Sequence, residues 1–141
     1  MLYDISELSN LENTIKILQK ELSQGVFYLE GDLGTGKTQF VRTWLNLLGY
    51  NEAIPSPTWN IINEYQINDK NIIHADLYRI SDAEELIYLD VDLWQERADL
   101  IFIEWAEKGQ GFVPEADFIL TFTLESSFRF LKFTTNLRKM L

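Results

Sequence analysis

Between residues 31 and 38 the chain reads Gly-Asp-Leu-Gly-Thr-Gly-Lys-Thr, and no other stretch restricts the fold as tightly. The spacing G-x-x-x-x-G-K-[ST] is that of a phosphate-binding loop. Its glycines let the backbone curl with amides turned inward, a nest for anionic oxygens. A helix starting at the loop adds unpaired amides and the positive end of its dipole. Lys37 then reaches β- and γ-phosphates, and the Thr38 hydroxyl is offered to a magnesium ion. The flanks agree with this reading. Val26 to Glu30 is a short β-prone run, and a helix is expected from about Lys37 to Leu48, with Gly49 as its stop. Gly31, Asp32, Leu33, Gly34, Thr35, Gly36, Lys37 and Thr38 are therefore the expected nucleotide cradle, with ATP or ADP and Mg2+ as cofactors.

The rest of the chain is patterned for a mixed sheet. Leu2 to Ile5 is expected as a short edge strand. Ser9 and Glu12 have the spacing of a capping box, and Leu11, Ile15, Leu18 and Leu22 follow at helical intervals up to Gly25. Pro55 and Pro57 mark a loop. Thr58 to Tyr65 and Asn71 to Asp76 read as two strands about an Asn68-Asp69-Lys70 turn. Ser81 is expected to cap a short helix carrying Glu84 and Glu85. Leu100 to Ile103 is a nearly continuous apolar run, as in a strand buried on both faces. Phe118 to Leu124 and Phe128 to Thr134 form a hairpin around Ser126-Ser127. Strands alternate with helices early and run together late. The expected fold is α/β, a P-loop NTPase-like three-layer arrangement with parallel central strands and antiparallel strands at the edges.

With 141 residues, a single domain over residues 1–141 is the expectation. No apolar run approaches the roughly 18 residues a membrane span needs, and no targeting signal is read, so a cytoplasmic protein without membrane contact is expected. Cysteine is absent and His74 is the one histidine, which excludes disulfides, zinc–thiolate sites and multi-histidine metal sites. A net charge of −10 disfavours autonomous nucleic-acid binding, because such affinity grows with phosphates neutralised by Lys and Arg. Four of the 12 basic residues fall between Arg129 and Lys139, and read as a solvated strand and tail.

A P-loop needs a carboxylate near its metal, usually at the end of a neighbouring hydrophobic strand. Asp76 ends one such strand and Glu104 follows another. Open α/β sheets bind ligands at the carboxyl ends of strands. Spacing alone leaves open which acid holds magnesium and which orients water. Ser56-Pro57-Thr58 lies in the first loop after the P-loop helix, where a hydroxyl can sense a γ-phosphate. His74 reads as a structural strand histidine. Trp44, Trp59 and Trp94 read as packing residues, whereas Trp105, next to Glu104, is a candidate neighbour of the nucleotide.

Four segments together resemble the bacterial TsaE family, also called YjeE. They are the P-loop, Ser56-Pro-Thr-Trp-Asn-Ile-Ile-Asn-Glu-Tyr65, His74-Ala-Asp-Leu-Tyr-Arg79 and Ile103-Glu-Trp-Ala-Glu107. The resemblance implies an ATPase required for threonylcarbamoyladenosine at tRNA position 37. It implies work beside the partner proteins TsaB and TsaD, with tRNA met only through the complex and hydrolysis slow in isolation. It further implies that Thr38 and Glu104 hold magnesium, that Asp76 and Lys37 serve hydrolysis, and that Thr58 and Trp105 lie at the nucleotide. The chain departs from the family pattern at Gln39, at Leu89-Asp-Val-Asp92 and at Ala106, and none of these removes a phosphate or metal ligand.

Two other functions share the motif. A small-molecule kinase on this fold normally carries an arginine-rich lid, and Arg42, Arg79, Arg97, Arg129 and Arg138 are dispersed. A nucleotide-dependent binding module without meaningful turnover is the other. No N-K-x-D segment of the kind found in many GTPases occurs. The start of the first helix and the late hairpin are the expected neighbours of the adenine.

Overall fold

A computed structural model describes residues 1–52, 54 and 60–140. Its strands are β1 Leu2–Asp4, β2 Gly25–Glu30, β3 Ile62–Ile67, β4 Lys70–Asp76, β5 Leu100–Glu104, β6 Phe118–Glu125 and β7 Phe128–Thr135. The α-helices are α1 Leu8–Glu21, α2 Lys37–Leu47, α3 Trp94–Arg97 and α4 Leu137–Met140. Short 3-10 segments lie at Ala83–Leu89, Val91–Leu93 and Ala106–Gly109.

The strands form one sheet in the order β1-β7-β6-β2-β5-β4-β3. The pairs β6–β2, β2–β5 and β5–β4 are parallel, and β3, β7 and β1 are added antiparallel. Every residue of β5 is buried, as its unbroken apolar run requires for a strand covered on both faces. Side chains alternate between the two layers with period two. Phe27, Leu29, Ile72, Leu100 and Phe102 pack under α1 and α2, against Ile15, Phe40 and Trp44. Val26, Ile73, Ile101 and Ile103 point the other way, against Leu86, Val91 and Trp94. Trp44 and Trp94 are thus core residues, one on each side of the sheet. Truncating a fully buried side chain such as Ile15 to alanine would cost about 2–5 kcal/mol.

Local signals were overruled in three places. Helix α1 starts at Leu8 with Glu7 as its N-cap and no side-chain cap, so Ser9 lies inside the first turn and the Ser9–Glu12 box does not form. Sheet pairing sets that boundary. The Ile5 amide donates to the Arg129 carbonyl, and Ser6 is locked to the Asp4 carboxylate through its amide and hydroxyl. Gly25 does not end α1, which stops at Glu21 with Leu22 already extended. It opens β2 at φ +138°, where an added Cβ would sit 3.1 Å from the Phe118 ring. The cap expected at Ser81 belongs to Asp82, which forms a capping box with Glu85 and opens a 3-10 segment rather than an α-helix. The turn expected over Asn68-Asp69-Lys70 is confined to Asn68 and Asp69, both at positive φ, and Lys70 already belongs to β4.

Candidate functional site

Strands β2, β5 and β4 run parallel and lie side by side, so their carboxyl ends open on one edge of the sheet. β2 ends at Glu30 and passes into the glycine-rich loop. β5 ends at Glu104, which pairs across the ladders with Leu29 on one side and Asp76 on the other. Period two carries Glu104 to the same face as Leu100 and Phe102, and His74 and Asp76 to the same face as Ile72. That is the face covered by α2, the helix that carries Lys37 and Thr38.

The loop is built for a close backbone approach. Gly31, Gly34 and Gly36 have φ of 145°, 80° and 107°. A Cβ on Gly31 would lie 2.5 Å from the Phe122 carbonyl oxygen and 3.0 Å from Thr35 Oγ1. Thr35 closes the inner turn, its hydroxyl donating to the Asp32 carbonyl at 2.7 Å. Asp32 and Leu33 are exposed at the loop tip. Helix α2 begins after Gly36 with no side-chain cap and no acidic residue in its first turn. Its leading amides and dipole therefore present positive potential, an arrangement suited to an anion.

Lys37 is only 5% exposed. Its ammonium donates to the Gly31 carbonyl at 2.6 Å and lies 4.3 Å from the centroid of the Trp105 ring. Trp105 adopts a left-handed backbone at φ 58°, uncommon for a bulky residue and a form of strain that gathers at functional sites. Its ring packs on Tyr78 at 5.1 Å, and the Lys108 ammonium lies 4.8 Å from the Tyr78 centroid. A cation, two aromatic rings and a second cation thus run from the loop to the surface.

Thr38 Oγ1 lies 3.3 Å and 3.5 Å from the two oxygens of Glu104, which is 3% exposed. Asp76 is half-buried, and its Oδ1 accepts from the Tyr78 amide at 3.0 Å. Burial raises the Asp76 pKa above the ordinary 3.8; the Tyr78 hydrogen bond opposes this, and the nearby Glu104 charge adds to it. Gly34, Gly36, Lys37, Thr38, Asp76 and Glu104 line one cleft of about 250 Å³, with Arg79 and Trp105 at its wall. A neighbouring hollow of about 390 Å³ holds Glu30 and Glu107 on the far side of Lys37 and Trp105, and its acids disfavour phosphate there. The larger hollow, about 540 Å³ beside Gly25, Asn71 and Asp99, lies at the opposite edge of the sheet, away from the strand ends that carry these groups.

The donor set suits magnesium. A hydroxyl and a carboxylate are hard oxygen ligands, and Mg2+ is usually held by one or two such groups together with substrate phosphates and water. Among the described residues no group of three or more His, Cys, Asp or Glu is placed to hold a metal ion.

Expected and observed positions differ for some residues. Gly31, Asp32, Leu33, Gly34, Thr35, Gly36, Lys37, Thr38, Asp76, Glu104 and Trp105 gather around the loop and the adjoining strand ends. Ser56, Pro57, Thr58 and Trp59 lie outside the described residues. His74 lies buried in β4, as a structural strand histidine would, and its Nε2 is 2.5 Å from Glu104 Oε2, a contact the sequence does not announce. Arg129 is not merely part of a solvated tail, since a Cβ at Gly36 would be 3.7 Å from its guanidinium. Its amide also donates to Ser6 Oγ, tying β7 to the approach to α1. No spacing rule links residues 36 and 129; only the sheet order does. Lys139, by contrast, pairs with Asp117 at 3.0 Å.

A family model described as threonylcarbamoyl adenosine biosynthesis protein TsaE matches residues 5–130. The tRNA threonylcarbamoyladenosine biosynthesis protein TsaE of Haemophilus influenzae is 44% identical over 93 residues, 66% of this chain and 59% of that protein. The protein of the same name from Borreliella burgdorferi is 36% identical over 106 residues, 74% of this chain and 77% of its own length. This chain spans about three-fifths of the Haemophilus protein and of the Rickettsia conorii relative, each matched over 59% of its length. The crystal structure of Bacillus subtilis YdiB superposes with a TM-score of 0.77 at 23% identity, covering 99% of this chain and 89% of that one, which establishes a shared fold. Among the described residues no helix is long and apolar enough to cross a membrane.

Proposed function

Because this chain belongs to the TsaE family, we propose that it binds and slowly hydrolyses ATP in the service of threonylcarbamoyladenosine formation at tRNA position 37, beside TsaB and TsaD. One observation carries the proposal. A glycine loop, a buried lysine, a hydroxyl and two carboxylates meet at the carboxyl edge of three parallel strands.

The loop amides and the head of α2 hold the phosphate chain. Lys37 exchanges its hydrogen bond to the Gly31 carbonyl for the outer phosphates, staying against the Trp105 ring. Thr38 and Glu104 are the residues that would hold magnesium, which supplies charge neutralisation to the outer phosphates when bound. Asp76 orients the attacking water. Its raised pKa makes it a better proton acceptor than an ordinary aspartate, and its bond to the Tyr78 amide fixes its direction. Trp105 and Arg129 flank the loop, and Thr58 acts as a sensor of the nucleotide. The acidic surface implied by a net charge of −10 suits a protein that meets RNA through its partners.

The test is reconstitution with TsaB, TsaD and an acceptor tRNA. Repeated rounds of modification should require this chain and ATP, and Glu104→Ala should abolish the requirement's fulfilment. Multiple turnovers without the chain would defeat the proposal, and phosphate appearing on a metabolite would favour a kinase.

A further inference from the structure

His74 and Glu104 form a contact that nucleotide binding by itself does not call for. The histidine is 1% exposed and the glutamate 3%. Nε2 of His74 and Oε2 of Glu104 are 2.5 Å apart. A carboxylate only accepts hydrogen bonds, so Nε2 is the donor in this contact. Among the described residues the buried Nδ1 of His74 has no hydrogen-bond partner. An imidazole buried with one nitrogen unserved is a poor way to fill a core, because an apolar side chain would leave no polar atom unsatisfied. Its position follows from the ladders. His74 lies opposite Phe102 and one pleat behind the Asp76–Glu104 pair, on the α2 face of the sheet. From there it meets Oε2 of the carboxylate, the same oxygen that lies 3.3 Å from Thr38 Oγ1.

We propose that His74 is a positioning residue for the cation. It pins Oε2 of Glu104, which also lies 3.3 Å from the Thr38 hydroxyl, and so fixes the carboxylate plane, leaving Oε1, 3.5 Å from that hydroxyl and not held by His74, free to be presented to magnesium. Groups behind a ligand that fix its orientation commonly contribute about 10–100-fold in metal affinity. The inference rests on the nucleotide reading above and assigns a role within that same site. It concerns how the carboxylate is held and requires no change in protonation.

The experiment compares His74→Leu, His74→Asn and His74→Gln with the wild-type protein. Calorimetry gives the ADP affinity of each in magnesium and in EDTA, and the ratio of the two reports the cation's contribution. Glutamine can bring an amide N–H to the place of Nε2, whereas asparagine is too short and leucine has no donor. The expected result is a ratio lowered about tenfold in His74→Leu and His74→Asn, an unchanged affinity in EDTA, and a ratio restored by His74→Gln. A merely structural histidine would lower both affinities together, and that outcome overturns the proposal. If the leucine variant does not fold, the asparagine and glutamine variants decide, and equal ratios refute it. A wild-type protein that binds no ADP defeats the nucleotide reading as well. Magnesium-dependent binding that all three variants share defeats this inference alone.

Discussion

Gly31 and Gly34 belong to the same loop, yet the structure gives them different reasons for being glycine. Gly31 has φ +145° and faces a neighbouring strand, so an added Cβ would meet the Phe122 carbonyl at 2.5 Å and the Phe122 Cβ at 3.2 Å. Gly34 has φ +80° and no atom within 4 Å of the same point. Gly31→Ala therefore carries backbone strain of about 1–3 kcal/mol and an overpacking cost of about 1–3 kcal/mol, roughly 2–6 kcal/mol together. Gly34→Ala carries strain alone, about 1–2 kcal/mol. Urea unfolding of both variants reads the difference directly. The mid-range difference of about 2.5 kcal/mol, with a slope of about 2 kcal/mol per molar, places the Gly31→Ala midpoint about 1 M below that of Gly34→Ala. Moving Gly31 also shifts the carbonyl that receives Lys37, so its ADP affinity should fall with its stability. Coincident unfolding curves for the two variants would refute the packing argument for residue 31.

Two further outcomes are expected. Lys37→Met removes a buried cation together with its carbonyl bond and its contact with the Trp105 ring, and the desolvation relieved offsets their loss, so the unfolding midpoint of the free protein should change little. The loss of about two charge-assisted phosphate contacts at about 1.5–3 kcal/mol each should weaken ATP binding by at least about a hundredfold, and unchanged calorimetric affinity would contradict this. Asp76 is held above its ordinary pKa of 3.8, so the folded protein favours its protonated form. The resulting stabilisation is complete below pH 3.8 and is lost as pH rises through the folded value, which leaves a penalty at neutral pH. Asp76→Asn keeps an acceptor for the Tyr78 amide and removes the charge. Its melting temperature should exceed wild type at about pH 7, with the gain vanishing below about pH 4. A lower melting temperature at neutral pH would contradict this assignment of the carboxylate.

Much of this arrangement was legible in the residues because the physics is local or strictly periodic. The loop motif specifies its own backbone geometry. The five-residue run Leu100–Glu104 can be covered on both faces only at the centre of a sheet. Asn68-Asp69 tolerates the positive φ that a two-residue hairpin demands. What escaped depended on contacts between distant segments. The Ser9–Glu12 box lost to the pairing of Ile5 with Arg129, which anchors the chain one turn earlier. The contact of His74 with Glu104 has no signal in the sequence because the two lie 30 positions apart on neighbouring strands. Arg129 comes beside the loop through β6 and β7, a route that strand patterns identify without fixing the register. Which acid faces the hydroxyl was also open in the sequence. The structure brings Glu104, not Asp76, within 3.3 Å of Thr38.

The central claim is that the main-chain amides of the glycine loop and the head of α2 grip phosphate. Amide NMR of the labelled protein during titration with magnesium and ADP tests it most directly. The largest shifts are expected at Gly34, Gly36, Lys37 and Thr38, with smaller ones at Glu104 and Trp105. Saturable ADP binding that leaves those four amides unmoved, or no binding at all, would contradict it.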